Sequence, residues 1–140
     1  MIKININLGV KDVKKSVDFY KKLFNFELLL AVSETKEPPF DRIEDEKEYL
    51  YALLGDKKVE IMFQQMESLC EDTTYNFDNK PNFTGTLYFE TEDIENYLKR
   101  LKGVEIVKEL DTTWYGMREI YIKDLDGYII ALSEKVDEFN

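Results

Sequence analysis

Histidine is absent from the 140 residues, and cysteine appears once, at position 70. Without histidine, the two-histidine, one-carboxylate arrangement that holds iron in dioxygenases cannot form, and no imidazole can shuttle a proton. A lone Cys70 cannot make an intramolecular disulfide, so a reducing compartment, and hence the cytoplasm, is expected. It also lies in an acidic stretch, without the positive surroundings that activate a thiol. Long apolar runs are missing as well. The opening MIKININLGV alternates, and nothing approaches the roughly 18 apolar residues of a membrane helix, so neither membrane insertion nor secretion is expected. Basic residues are the minority, 19 Lys and Arg against 29 Asp and Glu. The resulting net charge of -10 repels phosphate backbones and makes nucleic acid a poor candidate partner. It favours a cationic ligand near any acidic opening, although acidity serves solubility equally well.

What is present is enough for a core: 44% of the residues are apolar and 14% aromatic, which suits one domain of this length. From Ile2 to Val10 the even positions are all Ile, Leu or Val, the period of a strand with one buried face. Asp12 is placed to cap a helix in which Val13, Val17, Tyr20, Leu23 and Phe24 recur at helical spacing, opposite Lys14, Lys15, Lys21 and Lys22. Phe26 to Val32 reads as a strand, and Ser33 to Lys47, with Pro38 and Pro39, as a loop. Strands from about Tyr49 to Leu54 and Lys58 to Gln64 follow, joined around Gly55 and Asp56.

Gln65 to Phe83 is polar and reads as a crossing loop with one short helical turn at Glu67 to Cys70. The pattern then restarts. Thr84 to Glu90 alternates, Ile94, Tyr97, Leu98 and Leu101 form a helical stripe ended by Gly103, and three more strands cover Val104 to Leu110, Trp114 to Ile122 and Tyr128 to Glu134. An offset of 81 lays Ile6 on Leu87, Leu8 on Phe89, Asp12 on Asp93 and Val13 on Ile94. The expected fold is therefore α+β: two βαβββ repeats, about 1–65 and 84–135 with a crossing loop at 66–83, in a single domain over 1–140. Its mixed sheet should curve, incompletely closed, around a central cleft with the helices outside.

Two stretches carry a family resemblance. INLGVKDVKKSVDFYKKLFNFELLL resembles the strand, Asp, helix and "FY" opening of the vicinal oxygen chelate superfamily, which includes glyoxalase I, extradiol dioxygenases, fosfomycin resistance proteins and bleomycin resistance proteins. YGMREIYIKDLDGYIIALSE resembles its closing hairpin, with Asp124, Leu125, Asp126 and Gly127 where Asp-Pro-Asp-Gly is usual. WYGMRE at Trp114 to Glu119 is most similar to the bleomycin-resistance-like branch. The resemblance implies metal-ligand positions on the first and last strand of each half, and these fall on Asn5, Glu60, Thr86 and Ala131. One carboxylate, an amide, a hydroxyl and a methyl do not make a divalent-metal site, so neither a metal nor another cofactor is expected.

Alternation places Asn5 and Asn7 with Lys3 on one strand face, Thr86 with Tyr88 and Glu90 on another, Glu60 with Met62 and Gln64, and Glu119 with Met117 and Tyr121. Tyr49, Tyr51, Trp114 and Tyr115 lie near these in the pattern. Aromatic walls with a few amides and carboxylates suit a bulky amphipathic, cationic or aromatic small molecule. Each of these side chains also fits a core or a dimer interface. Glu60 is expected to pair with Lys3 or Arg118, to meet a cationic ligand, or to act as a base, and Arg118 to anchor its hairpin through a carboxylate near Glu119 or Asp126. The expected protein is thus a metal-free, homodimeric binder rather than an enzyme, with no catalytic residue assigned. The alternative is a glyoxalase-like lyase or isomerase using Glu60 as general base, which requires a raised carboxyl pKa.

Overall fold

The structure is a computed structural model that describes residues 1–56 and 58–136. The chain forms two compact units, the first spanning Met1–Asn82 and the second beginning at Phe83.

In the first unit β1 (Ile6–Val10), α1 (Val13–Phe24), β2 (Glu27–Ser33), β3 (Tyr49–Gly55) and β4 (Glu60–Gln65) are followed by α2 (Met66–Thr73). The sheet runs β1-β4-β3-β2, with β1 parallel to β4 and the other pairs antiparallel. The helix α1 starts where Asp12, in extended backbone, accepts the Lys15 N–H at 3.1 Å. It stops at Asn25, whose left-handed conformation (φ 57°) lets its N–H reach the Lys21 carbonyl at 3.0 Å. Val13, Val17, Tyr20, Leu23 and Phe24 on its buried face cover the sheet face carrying Leu8, Val10, Ala52, Leu54, Ile61 and Phe63. Each large side chain removed from water there stabilises the unit by about 1.5–3 kcal/mol. Tyr20 and Phe63 pack together within this core, with ring centroids 4.8 Å apart. The opposite face carries Asn7, Tyr51, Leu53, Glu60, Met62 and Gln64 in register.

Two elements of this unit differ from expectation. The first strand begins at Ile6, not Ile2, because its ladder to β4 starts at Ile6 and Ile61; Ile2 and Ile4 are exposed. The short turn expected at Glu67 to Cys70 is an eight-residue helix, α2. It packs against β1 at Gly9, where a Cβ would lie 2.4 Å from Met66 Sδ and 3.0 Å from Leu69 Cδ2, the flexible ends of two α2 side chains.

The second unit repeats the order with β5 (Thr86–Glu90), α3 (Ile94–Leu98), β6 (Ile106–Thr112), β7 (Met117–Lys123) and β8 (Ile129–Lys135), in a sheet β5-β8-β7-β6. Asp93 caps α3 as Asp12 caps α1, accepting the Asn96 N–H at 3.3 Å. Leu87, Ile94, Ile120, Ile122, Ile130 and Leu132 are buried together. The α+β arrangement is therefore present as two four-stranded mixed sheets, neither closed into a barrel.

The hairpin between β7 and β8 turns on Asp124, whose Oδ1 accepts the N–H groups of Asp126 and Tyr128, both at 2.9 Å, while Gly127 takes φ +89°. Arg118 does not use Asp126 or a neighbour of Glu119. Its guanidinium donates to Glu95 at 2.7 Å and Glu134 at 3.3 Å, and Glu134 also accepts the Ile94 N–H at 3.2 Å. One cation thus ties β7 and β8 to the start of α3. The strand expected from Trp114 begins only at Met117, because Thr113 closes a turn: its carbonyl accepts the Gly116 N–H and its hydroxyl the Met117 N–H.

Candidate functional site

Glu119 lies in the middle of β7 and is only 3% exposed. Burying a carboxylate is costly unless its oxygens are hydrogen-bonded, and here three tyrosine hydroxyls converge on it. Tyr88 donates to Oε2, while Tyr115 donates to Oε1 at 2.6 Å and Tyr121 to the same oxygen at 3.4 Å. Sheet register brings the donors together. Tyr88 on β5 is opposite Ala131 on β8, which is opposite Tyr121 on β7; one step along, Ser133 separates Glu90 from Glu119. Tyr115 reaches back from the turn before β7.

The carboxylate marks its neighbours. Its hydrogen bond and negative charge, with some burial, push the Tyr115 hydroxyl up to about 12. Tyr88 is raised by burial first and by its bond to Glu119 second, and Tyr121 by burial and then by the charge of Glu119. These hydroxyls are therefore firm donors at neutral pH rather than nucleophiles or bases. Tyr88 and Tyr115 are 46% and 47% exposed, and Trp114, 87% exposed, stands edge-on to Tyr115 with ring centroids 5.3 Å apart. Met117 is half-buried on the face of Glu119, and Thr86 is exposed on the face of Tyr88.

The first unit arranges its polar face differently. Glu60 Oε2 accepts from Lys3 Nζ at 2.6 Å and from the Asn5 amide at 3.3 Å. The hydrogen bond from Lys3 is the main reason its carboxyl is lowered, the opposite of what a general base requires. Gln64 is engaged at both ends: Oε1 accepts from Asn7 at 2.9 Å, and Nε2 donates to Ser68 at 2.9 Å and Asp72 at 2.6 Å. It is a brace between β4 and α2 rather than a free contact for a ligand. Asn7 keeps one buried oxygen, Oδ1, without a partner among the described residues. Tyr51 is half-buried, and its hydroxyl is raised chiefly by burial. Met62 is half-buried opposite Leu53. Tyr49 is buried, its hydroxyl accepting the Glu44 N–H at 2.8 Å, and so fastens the preceding loop instead of facing a ligand.

Ser68 and Asp72 escaped sequence reading because α2 was expected only as a short turn at Glu67 to Cys70. Their spacing of four and eight residues from Gln64 was the available signal.

A divalent ion fits poorly at the positions where the resemblance implies one. Glu60 already holds an ammonium, Asn5 turns its amide nitrogen rather than its oxygen toward that carboxylate, and Ala131 is a buried methyl. Among the described residues no three His, Cys, Asp or Glu side chains are grouped to hold a metal.

The description of the Glyoxalase/Bleomycin resistance protein/Dioxygenase superfamily matches residues 4–132. The chain belongs to that superfamily. The lactoylglutathione lyase of Pseudomonas aeruginosa is 29% identical over 143 residues, covering 89% of this chain and 77% of the relative. Fosfomycin resistance protein FosX of Listeria monocytogenes is 28% identical over 130 residues, covering 91% and 85%. Among solved structures, a glyoxalase-related enzyme from Fulvimarina pelagi superposes with TM-score 0.73 at 16% identity, covering 96% of this chain and 89% of that one. TioX from Micromonospora sp. ML1 gives 0.67 at 19%, covering 97% and 100%. These superpositions establish the fold. Membership of the superfamily is thereby established more broadly than the bleomycin-resistance-like branch expected from WYGMRE, since the sequence relatives are a lyase and a fosfomycin resistance protein.

Proposed function

We propose that this superfamily member binds a bulky amphipathic or cationic small molecule without a metal, in the manner expected of a sequestering protein. The observation that carries the reading is Glu119, a buried carboxylate held by three tyrosine hydroxyls, two of them on tyrosines that remain about half exposed. A negative charge at the hydroxyl ends of exposed tyrosines, beside an exposed tryptophan, attracts cations and flat apolar groups together. Similarity to FosX supports a link to antibiotic resistance, and WYGMRE supports the bleomycin-resistance-like branch. A homodimer in the cytoplasm belongs to the same proposal, as the resemblance and the lone cysteine suggest.

The second reading, a lyase or isomerase, is favoured by the name of the Pseudomonas relative. Glu60 opposes it, because Lys3 and Asn5 hold its carboxyl low.

Trp114 is the only tryptophan, so fluorescence reports directly on this surface. Metal-stripped protein titrated with cationic, neutral and anionic aromatic compounds is expected to show a saturable change with the first class, weakened by salt. No saturable change with any of them would remove the reading. Turnover of a dicarbonyl or epoxide that depends on an added divalent metal would do the same.

A further inference from the structure

Most carboxylates that recognise cations do so by accepting hydrogen bonds, and Glu119 is poorly placed to accept more. It has roughly four lone-pair directions, as any carboxylate does. Three are taken by Tyr88, Tyr115 and Tyr121, and the residue is buried. A primary ammonium or a guanidinium approaching it would lose hydration without gaining that acceptor. The negative charge remains, as do the half-exposed Tyr88 and Tyr115 and the edge-paired Trp114. Charge with few acceptor directions left, at the hydroxyl ends of exposed aromatic side chains, is the environment in which an alkylated ammonium loses least and gains through-space attraction.

We infer that the ligand class of this surface is a quaternary or fully N-alkylated ammonium attached to an aromatic or apolar body, selected over the corresponding primary amine because three tyrosines occupy the Glu119 carboxylate. The inference rests on the binding reading above and narrows it. It assigns the tyrosine hydroxyls a definite role: they set selectivity by filling the carboxylate, while their rings supply affinity.

The experiment compares benzyltrimethylammonium with benzylammonium, each titrated against the wild-type protein and followed by Trp114 fluorescence. A preference of about tenfold for the trimethylated compound is expected. Glu119→Gln should weaken benzyltrimethylammonium by a similar factor. Since removing a buried charge can disturb the fold, Tyr115→Phe supplies an independent arm: the ring stays, one oxygen of Glu119 is partly freed, and the preference should move toward benzylammonium. A role of Tyr115 in structure alone would weaken both compounds equally and would overturn the selectivity argument. Equal or better binding of benzylammonium by the wild type would also overturn it, showing that the tyrosine oxygens serve as acceptors, while leaving the binding reading intact. If neither these compounds nor the broader aromatic panel gives a saturable signal, the binding reading falls and the inference with it.

Discussion

Tyr88 and Glu119 meet diagonally across β8, the tyrosine on β5 giving its hydroxyl proton to a carboxylate two strands away. Neighbouring strands are about 4.8 Å apart, so this contact needs a low floor between them. Ala131 and Ser133, both fully buried, provide it. The position that resemblance associates with a metal ligand, Ala131, is thus the place where the sheet has to stay small. Ala131→Leu should push Tyr88 off Glu119 and destabilise the second unit by about 1–3 kcal/mol through overpacking. Urea denaturation measures the loss. Unchanged stability with the Tyr88 hydroxyl still perturbed would show that the floor is not required.

The tyrosines predict behaviour at high pH. A group whose folded pKa is raised contributes stability that is complete below its unfolded pKa, ordinarily about 10 for tyrosine, and that disappears as pH climbs through the folded value. For Tyr115 that window is about 10 to 12, and Tyr128, raised to about 12 chiefly by burial, shares it. The protein should therefore lose stability between pH 10 and 12. Their causes differ, which makes them separable: Glu119→Gln should return Tyr115 toward its ordinary value and leave Tyr128 high. Ultraviolet titration of phenolate absorbance, with Tyr115→Phe to assign the step, would reveal the opposite outcome directly.

Gly9 yields a prediction about α2. Gly9→Ala places a methyl group against the flexible ends of Met66 and Leu69, which can turn aside, and should cost about 1 kcal/mol or less. Met66→Ala in the same chain removes the nearest obstructing atoms, and the two changes should cost less together than their sum. Additive losses in a double-mutant cycle would mean that α2 is not held against β1 at this point.

Periodicity and capping made most of the architecture legible before any coordinates. Asp12 marks the start of α1, the alternation of Leu8 and Val10 marks a buried strand face, and Asp124 with Gly127 marks the last turn, whereas the start of α3, read from Thr91 and Glu92, falls on Asp93. Local pattern failed where a partner decides. Ile2 and Ile4 alternate as well as Leu8 and Val10, yet among the described residues no strand pairs with them, and α2 is braced by Gln64 rather than resting on a long apolar stripe. In the candidate site, alternation grouped Glu119 with Tyr121 on one strand and Thr86 with Tyr88 on another. That these strands share a neighbour, and that Tyr115 folds back onto the same oxygen, follows from sheet order and from a turn, which a one-dimensional pattern does not contain.

Glu60 gives the last prediction, and it concerns both protons and metals. Its carboxyl is lowered first by the hydrogen bond from Lys3, so whatever stability it lends is present above the unfolded carboxylate pKa and is lost as pH falls through the lower folded value. Lys3→Met should raise the Glu60 pKa toward its ordinary value of 4.5, read from carboxyl chemical shifts in an NMR titration. Stability at neutral pH should scarcely change, because the ion pair is solvent-accessible. Removing the competing ammonium also makes the metal question sharp. A ligand that binds only the folded state raises the melting temperature in proportion to RT ln(1 + [L]/Kd). With one carboxylate and no histidine, neither the wild type nor Lys3→Met should shift in sub-millimolar manganese, nickel or zinc. A saturable upward shift that disappears in Glu60→Gln would show that this carboxylate does recruit further donors, and would return metal-dependent chemistry to the first unit.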